Sequence, residues 1–255
     1  MAVMSLEQIL ARLSAANLPL QVKLDQLRTA FETNIAQPDV VAGIHKATEE
    51  LIASGAGQRA LKAGDQAPVF VLPDADGRPV SSRDLLLRGP LVVTFYRGIW
   101  CPYCNFDLQA LEAARPLIEA RGANLIAISQ QTPANSRKSQ RQNSLGFPIL
   151  VDKSGIVTAQ FGLRWSLPDY LREIHKQLGV DLTQFNGEDS WSLPIPARYV
   201  IGPNGRVAYA EINPDYTRRP EPSDVFPILD RLRSAPLESV RTFASTDAPG
   251  LGAPQ

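Results

Sequence analysis

The chain has 255 residues, 26 basic and 26 acidic, for a formal net charge of zero, and 44% of it is hydrophobic. That length and apolar content suit one large domain, or one domain with an added segment, and the balanced charge leaves no footprint for nucleic acid or an anionic membrane surface. No apolar run approaches the ~20 residues of a membrane span. Met1 to Leu20 carries Glu7 and Arg12 rather than a basic stretch followed by an apolar one, so no secretory leader is read and a cytoplasmic location is expected.

Residues 1–60 read as a helical segment. Leu6, Ile9, Leu10 and Leu13 fall at helical spacing, and Leu20, Leu24, Leu27 and Phe31 repeat it after the break at Asn17-Leu18-Pro19. Pro38 interrupts again, Val40, Val41, Ile44, Ala47 and Leu51 make a third apolar face, and Ser54-Gly55-Ala56-Gly57 reads as a flexible joint. This segment either packs on the main domain or supplies a homodimer contact.

Residues 61–236 then alternate short strands with helices. Val69 to Pro73 is a strand, Asp74-Ala75-Asp76-Gly77 a turn, and Ser81 or Ser82 caps a helical turn running to Leu87. The apolar run Leu91 to Tyr96 is a buried strand, and Asn105 to Arg121 reads as a helix. Asn124 to Ser129 and Ile149 to Val151 are further strands, with a polar helix from Pro133 to about Ser144 between them. Residues 163–194 are an insertion, with a helix over Pro168 to Leu178 and a polar loop holding Trp191. Ala197 to Ile201 and Val207 to Ile212 form a hairpin around Asn204-Gly205, and Val225 to Arg233 is the last helix. Residues 237–255 read as a disordered tail. The element order predicts an α/β architecture, a central mixed sheet flanked by helices, in thioredoxin-fold order with an added N-terminal helical segment.

Cys101 and Cys104, the only cysteines in the chain, sit in Trp100-Cys101-Pro102-Tyr103-Cys104, between the central strand and the helix. Pro102 suits the first helical position, which puts Cys101 at the N-cap and Cys104 one turn along. The positive end of the helix favours a thiolate, and backbone N–H groups of Tyr103 or Cys104 are available to it. Cys101 is expected to be the more exposed. The spacing lets the pair close reversibly into a disulfide. A structural zinc site needs about four ligands, and only His45 and His175 are available beyond the pair, so neither metal nor cofactor is expected. Arg97 can hold a positive field near the sulfurs or be a solvated surface side chain. Trp100 and Tyr103 can flank the pair as a docking surface or simply pack. Pro196 is either a cis proline against the disulfide or a trans strand proline. Arg198, two residues on and on the same strand face, can hydrogen-bond peroxide oxygens and favour thiolate, or form a surface salt bridge.

The segment Thr94 to Leu111, together with Ala127-Ile128-Ser129, Phe147 to Asp152 and Ala197 to Gly205, resembles the alkyl hydroperoxide reductase C / thiol-specific antioxidant family, in its peroxiredoxin-like branch with a Cys-X-X-Cys. The resemblance covers roughly residues 63–235. It implies a thiol-dependent peroxidase acting on hydrogen peroxide or organic hydroperoxides through a sulfenic acid and a Cys101–Cys104 disulfide, reopened by thioredoxin or a glutaredoxin-type donor. Peroxiredoxins carry Pro-x-x-x-Thr-x-x-Cys. Without gaps the attacking cysteine falls on Cys104, the threonine on Cys101 and the proline on Arg97, while the peroxide-binding arginine falls on Arg198. This register makes Cys104 the attacking sulfur, whereas exposure and N-cap position favour Cys101. Two further readings share the residues: a thioredoxin-like protein disulfide reductase, with Pro196 matching its cis proline, and a redox-sensing interaction module.

Overall fold

Capping and proline placement set the N-terminal helices. The structure, a computed structural model, describes residues 4–234, so the tail expected at 237–255 lies outside the described residues. Ser5 caps α1 (Leu6–Ala15) through a capping box with Gln8. Next come α2 (Leu20–Ala30), which runs on into a π-helical turn at Phe31–Ile35, and α3 (Pro38–Ala53). Pro38, expected as an interruption, occupies the first turn of α3, where its missing N–H costs nothing. Gly55, at φ 69°, turns the chain into the single-turn α4 (Ala56–Arg59).

A small hairpin of β1 (Val71–Pro73) and β2 (Pro79–Ser81) leads into α5 (Ser82–Arg88), capped by the Ser81 hydroxyl as its sequence suggested. The central unit follows: β3 (Leu91–Phe95), α6 (Pro102–Glu119), β4 (Asn124–Ser129), α7 (Pro133–Gln142), β5 (Ile149–Val151) and α8 (Ile156–Gln160). The helix expected at Pro168 to Leu178 is present, and the rest of the insertion is more ordered than a polar loop. Its ends pair as β6 (Arg164–Ser166) and β7 (Ser192–Pro194), and they enclose α9 (Asp169–Gln177) and α10 (Leu182–Asn186). The hairpin β8 (Ala197–Ile201) and β9 (Val207–Ile212) and the helix α11 (Phe226–Ser234) complete the fold. Among the described residues no helix is long and apolar enough to cross a membrane.

The main sheet has the order β5-β4-β3-β8-β9. β3, β4 and β5 run parallel, and β8 is antiparallel to both β3 and β9. Every residue of β3 and of β8 is buried, as continuous apolar strands covered on both faces require. Thr94 pairs with Arg198, and Phe95 with Ala197. One core lies on the α6 side of the sheet and contains Ile9, Leu13, Leu24 and Leu27 together with Leu108, Leu111 and both cysteines. The N-terminal helices thus pack into the core of the cysteine helix. A second core, around Phe95, Phe161 and Tyr199, fills the opposite face.

Candidate active site

A tight loop joins β3 to α6, and its glycine is required. Gly98 has φ 153°, and a Cβ there would fall 2.6 Å from Trp100 Nε1. The Gly98 carbonyl accepts the Cys101 N–H at 3.1 Å. Ile99 donates its N–H to Gln131 Oε1 at 3.0 Å, and Asn105 Nδ2 donates to the Ile99 carbonyl at 2.8 Å. These bonds hold Cys101 in the extended N-cap conformation, with Pro102 at the first helical position. The helix therefore starts at Pro102, as the proline's position suggests.

The sulfurs are not placed as the N-cap argument expected. The Cys101 side chain makes no capping bond to the helix N–H groups. Its sulfur instead accepts a hydrogen bond from Arg97 Nη2 at 3.2 Å, and the Cys104 sulfur accepts one from Arg219 Nη2 at 3.3 Å. Cys101 is no more exposed than Cys104: both are free thiols with 0% exposure, because α2 packs across α6 and Leu24 and Leu27 share their core.

The two arginines differ in what else they hold. Arg97 is buried between the rings of Tyr216, 3.9 Å from its Cζ, and Trp100, 4.9 Å away, with no carboxylate in ion-pair range among the described residues. Arg219 lies 3.4 Å from Asp107 Oδ2 and also donates to the Tyr216 carbonyl at 2.8 Å. Arg198 pairs with the same Asp107 and donates to the Pro220 carbonyl at 3.0 Å. Two buried guanidinium groups, Arg198 and Arg219, thus share one buried carboxylate and a third, Arg97, has none, an excess of two positive charges among these buried groups until a sulfur ionises. An uncompensated buried charge is costly, so the cluster itself drives thiolate formation.

The thiolate belongs on Cys101. Burial pushes its pKa up, but a hydrogen bond from the Cys104 thiol and the charges of Arg97 and Arg219 outweigh burial and hold it well below the ordinary thiol range. Burial raises Cys104 well above that range, and its bond to the Cys101 thiolate keeps its proton in place. The charge inventory gives the physical reason: Asp107 already answers Arg219, whereas only Cys101 answers Arg97. The same thiolate holds Arg97 ionised against burial, which alone would lower its pKa.

The residues singled out from the sequence are distributed as follows. Cys101, Cys104 and Arg97 come together. Trp100 packs on His175, ring centroids 5.5 Å apart, and on Phe185 at 6.5 Å, so it is a wall of the site rather than a free docking surface. Arg198 is neither a surface ion pair nor a partner of either sulfur, since its bonds go to Asp107 and Pro220. Every peptide bond among the described residues is trans, so Pro196 is a buried trans proline where β8 begins. Asp107, Arg219 and Tyr216 were not anticipated. Asp107 had left a signal, because it is a lone acid on the apolar stripe of α6 beside Cys104, Leu108 and Leu111.

A family profile described as the AhpC/TSA family matches residues 63–210, more than half of the 255-residue chain. The chain belongs to that family. Peroxiredoxin Bcp of Escherichia coli is 33% identical over 103 residues, covering 40% of this chain and 65% of Bcp. Thiol-disulfide oxidoreductase ResA of Bacillus cereus is 26% identical over 104 residues, covering 40% of this chain and 59% of ResA. The chain therefore spans under two thirds of each of these two relatives. Among solved structures, peroxidoxin BcpB of Mycobacterium tuberculosis superposes with a TM-score of 0.53 at 22% identity, covering 68% of this chain and 97% of that one, a similarity of fold. The helices before residue 63 lie outside the AhpC/TSA match.

Proposed function

We propose that this member of the AhpC/TSA family is a thiol-dependent peroxidase in which Cys101 is the attacking thiolate and Cys104 the resolving thiol. The observation that carries the reading is the Arg97–Cys101 contact at 3.2 Å, a guanidinium without a carboxylate partner held against a sulfur at a helix N-terminus. The Cys101 thiolate attacks the terminal oxygen of R–O–OH. An S–O bond forms, the O–O bond breaks, and RO⁻ leaves and takes up the proton that the thiol released on ionising. Cys101 is now a sulfenic acid. Cys104 attacks its sulfur, the S–S bond forms, and the hydroxyl leaves as water with the Cys104 proton. One peroxide and two thiols give one alcohol, one water and one disulfide. An external dithiol of the thioredoxin or glutaredoxin class returns the two electrons by thiol–disulfide exchange. A reducing compartment such as the cytoplasm fits two free buried thiols.

Mass spectrometry of Cys101→Ser and Cys104→Ser after sub-stoichiometric peroxide, with a sulfenic-acid trap, tests the assignment. Cys104→Ser is expected to give the trapped sulfenate and Cys101→Ser none. The reverse pattern would restore the assignment that the peroxiredoxin register gives to Cys104.

A protein disulfide reductase is the second reading. It is favoured by the thiolate on the first cysteine of the pair and by the likeness to ResA, a thiol-disulfide oxidoreductase. Turnover of insulin disulfides without peroxide consumption by the reduced protein would select it.

A further inference from the structure

Residues 213–221, the loop between β9 and the 3₁₀ turn that precedes α11, carry two of the groups around the sulfurs. The Tyr216 ring lies against Arg97, and Arg219 reaches both Cys104 and Asp107. Thr217 and Arg219 are buried, so their backbone groups need partners. The loop meets part of that need itself, since Asp215 Oδ1 accepts the N–H of Thr217 at 3.0 Å and its hydroxyl at 2.7 Å. The rest comes from α2.

Gln21, half-buried in the first turn of α2, grips this loop with both ends of its carboxamide. Its Oε1 accepts the Arg219 N–H at 3.0 Å, and its Nε2 donates to the Thr217 carbonyl at 3.3 Å and to Asp25 Oδ1 at 2.9 Å. Neither loop group has another hydrogen bond among the described residues. The grip is returned by Glu221, whose carboxylate accepts the Gln21 N–H at 3.2 Å, one of the donors that a helix start leaves unpaired, where Pro19 offers no side-chain cap. The ion pairs Arg28–Asp215, at 3.7 Å, and Arg218–Asp25, at 3.9 Å, lie nearer to water and hold the loop less firmly. Gln21 and Arg219 are 198 positions apart, and both lie outside the AhpC/TSA match at 63–210.

Arg219 matters most at the resolving step. In the reduced pair its charge opposes the burial and the Cys101 thiolate that keep a proton on Cys104. Once Cys101 is a sulfenic acid that thiolate is gone, and the guanidinium 3.3 Å from the Cys104 sulfur is free to stabilise the attacking thiolate. Resting on the peroxidase reading above, with Cys104 as the resolving thiol, we propose that Gln21 is a positioning residue that fixes the loop backbone at Thr217 and Arg219, holds the Arg219 guanidinium on Cys104, and so sets how fast the disulfide closes. The stretch matched by the family supplies the two sulfurs, and residues before and after it control the second one.

Two readouts on the full chain test this in Gln21→Met, which keeps the length of the side chain, in Gln21→Ala, and in each combined with Arg219→Met. The first is ultraviolet titration of Cys104 alone in a Cys101→Ser background. Loss of the Gln21 bonds is expected to raise the titration midpoint by about one pH unit, a tenfold weaker acid. In the Arg219→Met background the same change is expected to add nothing. The second readout is rapid-quench mass spectrometry after a hydrogen peroxide pulse, which separates sulfenate formation, proportional to peroxide, from closure, independent of it. Below the midpoint closure should slow about threefold, because a tenfold smaller thiolate fraction is partly offset by a more nucleophilic sulfur. Above the midpoint the difference should vanish. An unchanged Cys104 titration in folded Gln21→Met or Gln21→Ala, a shift of equal size with and without Arg219, or a closure rate lowered equally at every pH overturns the proposal. If the titration shifts as expected but the wild type forms no sulfenate, the peroxidase reading fails and the hold of Gln21 on Arg219 stands.

Discussion

Replacing Arg97 with Met removes the one guanidinium that the Cys101 thiolate has largely to itself, and keeps an unbranched side chain between Tyr216 and Trp100. At 3.2 Å, opposite unit charges in an effective dielectric of about 20 attract by about 5 kcal/mol. The guanidinium charge is delocalised, and water follows into the vacated space, so about half of this is expected to reach the thiol. That makes the thiol about a hundredfold weaker as an acid, a rise of about two pKa units. Ultraviolet titration of the thiolate in a Cys104→Ser background reads the shift on a single sulfur, and the second-order rate with peroxide should fall in parallel. Arg97→Lys keeps the charge but loses the planar fork, and should recover part of the shift. If Arg97→Met titrates like its parent, or Arg219→Met moves the titration further, then the charge of Arg97 does not set the thiolate and the inventory around Asp107 is wrong.

Asp107→Asn leaves Arg198 and Arg219 buried without their shared carboxylate, and should cost about 3–5 kcal/mol in urea unfolding. An equal midpoint for wild type and variant would mean that water or another group answers those charges. His175 gives a defined acid limb. The unfolded ring takes a proton near its ordinary 6.5 and the folded one only near 4, so its contribution is fully present above about pH 6.5 and is lost as pH falls toward 4. The loss is roughly 3 kcal/mol, and His175→Phe should flatten that part of the stability profile measured by urea titration between pH 7 and 4. Leu24→Ala, at a fully buried position of α2, should cost about 2–5 kcal/mol and speed labelling of the cysteines by a bulky maleimide. Unchanged labelling would show that α2 is not what shields them.

The central unit was legible because its signals are local. The apolar run at β3, the Cys-X-X-Cys with Pro102 at the helix start, the Ser81 cap and the Asn204-Gly205 turn each act within a few residues, and each is found where its chemistry requires. The site was only half legible because its charge balance is long-range. Arg219 reaches Cys104 across 115 positions and Asp107 across 112, and no periodicity marks such a partner. Arg198 illustrates the same limit. Strand alternation put it on the same face as Pro196, but the acid that takes its guanidinium sits on another element. Exposure of Cys101 was misread for a related reason, since the cover comes from α2, far away in the chain.

The shared core of α1, α2 and α6 bears on how this protein can be handled. A fragment trimmed to the limits of the family match at residue 63 would not be cut at a linker. It would lose Ile9, Leu13, Leu24 and Leu27 and turn the Leu108–Leu111 face of the cysteine helix, with its two thiols, out to water. The stretch the family profile matches and the stretch that shares one core are different lengths of chain, and both cysteines belong to that core.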